Sequence, residues 1–524
     1  MLNLAMLLED SVREVPERTA IVCEGTRLSY AELQAAANQV ANGLAQVGIS
    51  KGDKVALSCQ DVPSFVIAYY GILKAGGVVV PLNILLKSRE IAYHLTDGDA
   101  KAYFCQEGTP ELPIGQLGYT AFQEVEGCQH FFLMTNEPDE PDEPDEPDAP
   151  SSIPGATTLS MLMRDQSTTF ETVATSPDDT AVILYTSGTT GKPKGAELTH
   201  LNMLLNARLS DSIYPRADHD VHLITLPLFH SFGQSVQMNA GIYNRATLVL
   251  LPRFSPDAAL RLMEEENITL FCGVPTMYWA LLHYPRADQH DLQKIARNLR
   301  IAISGGAAMP VEVMLAFNEK FSVKILEGYG LSETSPIAVF SRLDREARPG
   351  SIGFPVWGVQ VRLVDQDDQD VGTGEVGEIA IKGHNVMKGY YKRPEATAEA
   401  MRHGWFHTGD IGRLDEDGYL YIVDRVKDMV IRGGFNVYPR EIEEVLLTHP
   451  AVSFAAVIGV PHDRHGEEVK AFVILKEGAT ITEVELVAWS KQNMADYKYP
   501  RIIEFRETLP MTATGKVLKS ELRS

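Results

Sequence analysis

The chain has 524 residues, which is too long for a single hydrophobic core and predicts several domains. Its 44% hydrophobic and 22% charged residues are typical of a soluble globular protein. A formal net charge of −23 argues against nucleic acid or an anionic membrane surface as a nonspecific partner, because the electrostatic contribution would be repulsive. A polyanionic ligand would therefore need a locally positive site.

The negative charge is partly concentrated in one low-complexity segment. Residues 136–150 contain eight acidic residues, no basic residue and tandem Pro-Asp-Glu triplets. Such a segment has no apolar surface to bury, so we expect an exposed insertion that contributes nothing to a core.

The cysteines and the apolar runs bear on location. Five cysteines are scattered without metal-ligand spacing, which favours reduced thiols and a cytoplasmic protein. The first residues lack the pattern of a secretory signal, and no apolar run approaches the ~20 residues that span a bilayer. Peripheral membrane contact and a homodimer both stay open.

The first hundred residues alternate helix and strand. Ser29 and Glu32 form a capping box before a helix whose apolar face ends near Val47. Short apolar runs at 55–57 and 77–81 predict strands. This alternation is typical of a parallel sheet covered by helices.

The alternation resumes after residue 178, with strands predicted from 181–185 to 323–326 and a helix at 232–243. Two successive alternating blocks predict two stacked α/β sheet layers. After Ser351, short strands separated by turn residues indicate a small β-barrel over about 351–423.

The last hundred residues form a further unit, in which Pro439 occupies the first turn of a predicted helix. We therefore predict an α/β fold with a large N-terminal domain, residues 1–426, made of two stacked α/β sheet layers plus the small β-barrel. A smaller, mobile α+β C-terminal domain would comprise residues 427–524.

The most informative stretch is the loop that joins the strand at 181–185 to a helix opened by Thr199. From Tyr185 to Gly195 it reads Tyr-Thr-Ser-Gly-Thr-Thr-Gly-Lys-Pro-Lys-Gly. Glycines let the backbone approach a ligand closely, while hydroxyl and ammonium groups suit phosphate oxygens. The loop is not the common P-loop, because Pro193 stands where a hydroxyl should follow Lys192.

This loop resembles the phosphate loop of the adenylate-forming (ANL) superfamily, which includes acyl-CoA synthetases, adenylation domains and luciferases. The resemblance implies that Lys194 acts in catalysis. It also implies a set of loop residues that bind ATP: Thr186, Ser187, Gly188, Thr189, Thr190, Gly191 and Lys192.

A second family motif follows a strand and reads Glu-Gly-Tyr-Gly-Leu-Ser-Glu-Thr over residues 327–334. The resemblance implies that Tyr329 stacks on adenine, Glu333 holds Mg²⁺ and Thr334 bonds the α-phosphate. Further nucleotide contacts are implied for three neighbours in the same motif: Glu327, Gly328 and Gly330.

Two other turns resemble the walls of the family's active site. In one, a turn of small residues, the backbone would contact adenine and form one wall of the acyl pocket; its residues are Gly305, Gly306 and Ala307. The segment Pro-Leu-Phe-His resembles the family's Pro-x-Phe-His motif and implies that His230 lies where carboxylate meets phosphate.

The ribose and hinge motifs come later in the chain. In the family pattern Asp410 accepts hydrogen bonds from both ribose hydroxyls, and Arg425 is a second ribose or phosphate contact. Lys427 falls at the hinge between the two domains.

The resemblance also implies two exchangeable sets of groups on the C-terminal domain. Lys516 would bridge ATP phosphate and substrate carboxylate during adenylation, and domain rotation would then bring in Gly433 and Gly434 to line a pantetheine tunnel. Luciferase-type members carry a lysine near Gly433, from which this chain departs.

The implied reaction converts an acid and ATP to acyl-AMP and pyrophosphate, and then coenzyme A to acyl-CoA with AMP as product. No acidic residue occurs between Leu223 and Tyr243, which disfavours an amino-acid substrate because its ammonium would be buried unpaired. Small residues in the same segment are expected to leave room for a medium- or long-chain fatty acid: Gly233, Ala240 and Gly241. An aryl-acid:CoA ligase and a fatty-acyl-AMP ligase that loads a carrier protein remain alternatives.

Overall fold

The computed structural model describes residues 2–136, 153–186, 192–214, 217–346, 348–425, 427–433, 435–462 and 464–523. The predicted insertion at 136–150 therefore lies almost entirely outside the described residues. Among the helices of these described ranges, none is both long and apolar enough to span a membrane.

The strands of the described residues are short, and they are numbered here along the chain. They are β1 (Thr19–Cys23), β2 (Thr26–Ser29), β3 (Lys54–Ser58), β4 (Val78–Pro81), β5 (Ala100–Gln106), β6 (His130–Met134), β7 (Thr157–Thr158), β8 (Thr180–Thr186), β9 (Lys194–Thr199), β10 (Val221–Ile224), β11 (Thr247–Leu250), β12 (Leu270–Gly273), β13 (Ile301–Gly305), β14 (Ile325–Gly330), β15 (Ile337–Phe340), β16 (Ser351–Pro355), β17 (Val359–Val364), β18 (Val376–Gly383), β19 (Gly389–Tyr390), β20 (Met401–Arg402), β21 (Trp405–Leu414), β22 (Leu420–Arg425), β23 (Val430–Arg432), β24 (Phe435–Val437), β25 (Val452–His462), β26 (Gly466–Leu475) and β27 (Ile502–Phe505).

The α-helices are α1 (Met6–Glu14), α2 (Tyr30–Gln46), α3 (Pro63–Lys74), α4 (Ser88–Asp97), α5 (Ile114–Gln123), α6 (Leu159–Met163), α7 (His200–Arg208), α8 (Ser210–Ile213), α9 (Ala240–Tyr243), α10 (Pro256–Glu265), α11 (Pro275–Leu282), α12 (Leu292–Asn298), α13 (Val311–Phe321), α14 (Pro394–Ala400), α15 (Pro439–Leu447), α16 (Glu483–Asn493) and α17 (Lys519–Leu522). A π-helix, Phe232–Asn239, runs directly into α9. Short 3₁₀ turns occur at Ala287–Gln289 and Ser332–Thr334.

Two sheets with parallel cores build the first 425 residues, as the alternating pattern predicted. The smaller of these sheets has the order β19-β9-β8-β4-β3-β5-β6-β7. The larger sheet contains the run β2-β1-β11-β10-β12-β13-β14-β15. One buried apolar cluster contains residues of both sheets, such as Leu57 of β3 and Leu248 of β11, together with Tyr70 of α3. The α/β fold with stacked layers is therefore confirmed.

The segment in which we predicted a small β-barrel forms a linear antiparallel ladder, β17-β18-β21-β22-β16, that continues the large sheet through β15. The last sheet has the order β24-β23-β26-β25 with β27 beside β26, and its strands all come from residues after 429. It buries an apolar cluster of its own, which includes Val457, Val469 and Leu486. A separate α+β unit at the C-terminus fits this arrangement.

Local signals in the sequence place several helix ends correctly. Ser29 accepts a hydrogen bond from the Glu32 amide and Glu32 reaches back to the Ser29 amide, which completes the predicted capping box of α2. Thr199 caps α7 through the amide of Asn202, and Pro439 occupies the first turn of α15. The Ser29, Glu32 and Thr199 side chains satisfy backbone donors that helix ends leave unpaired, whereas Pro439 brings no amide N–H that would need a partner.

The route from the phosphate loop to α7 differs from the prediction. The loop does not lead directly into the helix, because residues 194–199 form strand β9, which pairs antiparallel with β8. In the resulting hairpin Thr186 lies opposite Lys194. The antiparallel pair brings the two ends of the loop together beside the remaining parallel strands.

The expectation that small residues leave room for an acyl chain is wrong. A Cβ atom on Gly233 would lie 2.4 Å from the Leu226 carbonyl oxygen, and one on Gly241 would lie 2.5 Å from Leu248 Cδ2. Ala240 is only 2% exposed and belongs to the apolar core. These small residues permit close packing of the π-helix and α9, because neighbouring atoms already occupy the space.

Gly241→Ala tests this packing. The added methyl group would overlap Leu248 and crowd His222, so we expect a loss of stability of about 1–3 kcal/mol. The chain-length preference for acids should stay unchanged, because the residue lines a packed core. Thermal unfolding and an acid screen of the same preparation check both statements, and a shortened acid preference at unchanged stability would contradict them.

Candidate functional site

One cavity of 1360 Å³ brings together most of the residues that the motifs predicted. It lies at the carboxyl ends of the parallel strands β13 and β14, and residues near the end of the chain line its other side. The predicted residues that line it are Thr186, Lys194, His230, Gly305, Gly306, Ala307, Glu327, Gly328, Tyr329, Gly330, Glu333, Asp410, Arg425, Lys427 and Lys516.

Asp410 forms one corner of this cavity with two partners. Asp410 of β21 lies opposite Arg425 of β22 in the strand register, and Arg425 Nε is 2.9 Å from Asp410 Oδ1. The Tyr329 hydroxyl donates to the other carboxylate oxygen at 2.7 Å. The carboxylate is thus held with both oxygens oriented, as a group that receives two ribose hydroxyls requires.

Glu333 forms the opposite corner. Its side chain is 7% exposed, and its Oε1 atom accepts hydrogen bonds from the Thr186 hydroxyl at 3.1 Å and the Tyr390 hydroxyl at 3.0 Å. The motifs did not predict Tyr390, whose ring centroid lies 5.3 Å from Lys194 Nζ. A buried carboxylate beside a lysine and hydroxyls suits a divalent cation that is bound together with phosphate oxygens.

Thr334, for which the motif implies a phosphate contact, is bonded to the backbone of its own turn. Its side chain is fully buried, and its hydroxyl donates to the Pro336 carbonyl at 2.5 Å and accepts from the Leu331 amide at 2.9 Å. The hydroxyl therefore holds the turn that presents Glu333.

His230 lies where this cavity meets a second cavity of 620 Å³. Burial, with a further contribution from the nearby Lys516 ammonium, lowers the pKa of His230 to about 3, so the imidazole is neutral at physiological pH. Its Nδ1 atom accepts a hydrogen bond from the Phe232 amide at 3.2 Å. A neutral ring that accepts at Nδ1 carries its proton on Nε2, which can therefore donate to an anionic oxygen.

Glu327 is a second buried carboxyl group in the cavity. It is 4% exposed, and burial raises its pKa to about 7. One of its carboxyl oxygens, Oε1, has no hydrogen-bond partner among the described residues. A ligand that carries hydrogen-bond donors would satisfy that oxygen.

Lys516 enters the site from the C-terminal unit. Its loop is held by a hydrogen bond from the Thr276 hydroxyl of α11 to the Gly515 carbonyl at 2.9 Å. Gly306 adopts φ +80°, and a Cβ atom there would lie 3.3 Å from Lys516 Cε. A residue with a side chain at that turn would be strained and would press on the lysine.

The remaining predicted residues lie elsewhere. Lys192 lines the second cavity, with its Nζ 5.4 Å from the Tyr93 ring centroid. Gly433 adopts φ +59° at the β23–β24 turn, and it is not among the described residues that line either cavity. Predicted residues outside the described ranges are Ser187, Gly188, Thr189, Thr190, Gly191 and Gly434.

Motif reasoning missed two residues of the site. Tyr390 belongs to a Gly-Tyr-Tyr stretch and Thr276 follows a Val-Pro pair, so neither carries a charge that marks it in a single sequence. The pairing of β19 with β9 and the docking of the C-terminal loop bring them to the cavity.

Two buried, oriented carboxylates, a neutral histidine and several lysines line this one cavity, a set of groups that suits the binding of a nucleotide and a carboxylic acid. The AMP-binding enzyme family model matches residues 8–391, and the model of its C-terminal domain matches residues 441–516. This chain belongs to that family of adenylate-forming enzymes, and it is an acid:CoA ligase that uses ATP.

Two relatives that are named for different acids have the same sequence identity to this chain. A long-chain-fatty-acid–CoA ligase of Bacillus subtilis is 37% identical over 99% of this chain and 94% of its own length. A feruloyl-CoA synthase of Amycolatopsis is also 37% identical, over 98% of this chain and 96% of its own length. The crystal structure of ATP-bound MatB from Rhodopseudomonas palustris superposes with a TM-score of 0.88 at 34% identity, covering 100% of this chain and 98% of that one.

Thr276→Val tests whether the bond to Gly515 holds the lysine loop in its adenylating position. A typical hydrogen bond contributes about 1 kcal/mol, so adenylation should slow about 5-fold. Thioester formation from supplied acyl-AMP should be unchanged, and Thr276→Ser, which keeps the hydroxyl, should behave like the parent. Equal slowing of both half-reactions would contradict this role.

The pH dependence of adenylation follows from Lys516. Burial, followed by the positive charge of Arg425, lowers its pKa to about 8, although Asp410 opposes the shift. The ammonium is present below that pH, so kcat/KM for adenylation should fall as the pH rises through about 8. Pyrophosphate release measured across pH checks this statement.

Two controls isolate the lysine. In Lys516→Arg, kcat/KM for adenylation should no longer fall above about pH 8, because a guanidinium stays protonated. In the parent enzyme, thioester formation from supplied acyl-AMP should not show this loss of rate above about pH 8. The same loss in both half-reactions would mean that another group titrates.

Proposed function

We propose that this enzyme is a fatty acid:CoA ligase, which forms an acyl-adenylate and then an acyl-CoA with release of AMP. The observation that carries the proposal is the single cavity that contains Lys194, Glu333, Asp410 and Lys516. Those four groups supply the positive charge, the metal carboxylate and the ribose contact that the first half-reaction requires.

In the proposed complex, Asp410 and Arg425 hold the ribose and Tyr329 lies against the adenine. Glu333 would hold Mg²⁺ together with phosphate oxygens, and the cation would offset phosphate charge there. The Nε2 proton of His230 would hydrogen-bond the incoming carboxylate. Lys516 would stabilise the negative charge that develops as carboxylate attacks the α-phosphate and pyrophosphate leaves.

The second half-reaction would use the same cavity after the C-terminal unit has rotated. We propose residues 1–426 and 427–524 as the two moving bodies, with Lys427 at the hinge. The separate apolar cluster of the last sheet and the two family-model matches support this division. Rotation would withdraw Lys516 and bring Gly433 toward the acyl group. A cytoplasmic location and a homodimer stay predictions.

The acid is proposed from the cavity wall and the relatives. Phe232 and Val236 are the residues of the π-helix that line the cavity, and the polar side chains of this helix point into the core. An apolar wall without an acidic partner for an ammonium favours a hydrocarbon acid. The fatty-acid relative from Bacillus supports an aliphatic chain, and the feruloyl-CoA synthase relative supports an aryl acid as the second candidate.

A pyrophosphate-release screen separates these acids. Saturated fatty acids of graded length, benzoate-type acids and ferulate-type acids would be offered with Mg²⁺ and ATP. We expect kcat/KM to be highest for a medium- or long-chain fatty acid. A higher value for an aryl acid would replace the proposed substrate class, and intact ATP with every acid would reject the function.

Lys516→Ala tests the division of labour between the half-reactions. Removing the ammonium should lower adenylation at least 100-fold while thioester formation from supplied acyl-AMP stays near the parent rate. Lys491→Ala is the matched control, because Lys491 is an exposed lysine on α16 of the same unit. An equal loss in both half-reactions would reject the two-position scheme.

A further inference from the structure

Tyr390 contacts two charged residues that line the same cavity, Lys194 and Glu333. Its hydroxyl is 3.0 Å from Glu333 Oε1, and its ring centroid is 5.3 Å from Lys194 Nζ. The hydroxyl donates to that carboxylate oxygen, which as an ionised group can only accept. One side chain thus contacts a cation through its ring face and an anion through its hydroxyl.

The backbone fixes this side chain. Strand β19 pairs antiparallel with β9, which places Tyr390 opposite Ala196, two residues after Lys194. The Tyr390 amide donates to the Thr397 hydroxyl at 2.9 Å, and the Tyr391 amide donates to the Gly195 carbonyl at 2.7 Å. The ring position is therefore set by hydrogen bonds on both sides of the residue.

The same segment also contacts the backbone of Glu333. The Met387 amide donates to the Glu333 carbonyl at 2.8 Å. Residues 387–391 therefore tie the Lys194 strand to the Glu333 turn, two elements that belong to different sheets. Tyr390 provides the side-chain connection within this bridge.

Without such a spacer, a lysine and a glutamate in a partly desolvated cavity would attract each other strongly. The described residues record no ion pair between Lys194 and Glu333; the lysine lies over the ring, and two hydroxyls hold the carboxylate. A direct ion pair would have to be broken before phosphate could bind. The ring and hydroxyl keep both charges available for the ligand.

We propose that Tyr390 is a positioning residue that keeps Lys194 and Glu333 apart and oriented for magnesium-bound triphosphate. This proposal rests on the proposed function, in which Glu333 is the metal carboxylate. It predicts a defect specific to the β- and γ-phosphates and the cation, because Asp410, Arg425 and Tyr329 hold the nucleoside at the other corner.

The test compares Tyr390→Phe with Tyr391→Phe. The neighbouring Tyr391 is a matched control on the same segment, since its hydroxyl donates to Asp99 at 2.7 Å and the residue does not line the cavity. Calorimetric titrations with ATP plus Mg²⁺, and with AMP alone, would be made on the parent and both variants. Thermal unfolding of each preparation would establish that the proteins are folded.

We expect Tyr390→Phe to weaken binding of magnesium-ATP about 10-fold, the effect of losing one hydrogen bond to a charged group, with AMP affinity unchanged. Half-saturation of adenylation by Mg²⁺ should rise by a similar factor. Tyr390→Leu, which also removes the ring, should lose more, and Tyr391→Phe should match the parent.

Two results would overturn the role of Tyr390. Unchanged magnesium-ATP affinity in folded Tyr390→Phe would show that the hydroxyl does not contribute to binding. Equal weakening of magnesium-ATP and AMP binding would indicate a general structural effect. Failure of the proposed nucleotide site looks different, because the parent protein itself would then bind neither magnesium-ATP nor AMP. Failure of the proposed acid class would leave both affinities of the parent protein intact.

Discussion

The cavity that we propose as the active site receives one buried lysine, Lys516, from the C-terminal unit, and the proposed chemistry depends on that insertion. Lys516 lies beside Gly306 and within the electrostatic influence of Arg425, Asp410 and Lys427. Burying an ammonium costs free energy unless an anion compensates, and Asp410 is already engaged by Arg425 and Tyr329. The lysine is therefore held in a position where it lacks a full counter-charge, and an anionic ligand can supply it.

The sheet explains why the other groups meet there. Strands β10, β12, β13 and β14 run parallel, so the turns after them open at one edge. Those turns carry His230, Gly306 and Glu333, residues that are far apart in sequence. The antiparallel ladder from β16 to β22 then adds Asp410 and Arg425 from a third direction. A long cavity with distinct corners results, and each corner can hold one part of a nucleotide.

Much of this arrangement could be predicted from the sequence, because glycines, lysines and carboxylates occur in short motifs whose chemistry is recognisable. The stacked α/β layers followed from alternating helix and strand patterns, and Ser29 and Glu32 gave the correct start of α2. The hairpin of β8 and β9 could not be predicted, since its polar second strand lacks a run of apolar residues. Gly233 and Gly241 were misinterpreted as empty space, because a sequence does not reveal which neighbours occupy the volume that a missing side chain leaves.

The electrostatics of the site point to a coupling between binding and protonation. The same burial that lowers the pKa of Lys516 to about 8 lowers that of His230 to about 3. An incoming triphosphate and carboxylate favour the charged form of a neighbouring lysine, so ligand binding would raise the pKa of Lys516. His230 starts so far below neutrality that it would stay uncharged and keep its Nε2 proton for hydrogen bonding. In the proposed reaction Lys516 would therefore supply positive charge, and His230 would supply a directed hydrogen-bond donor.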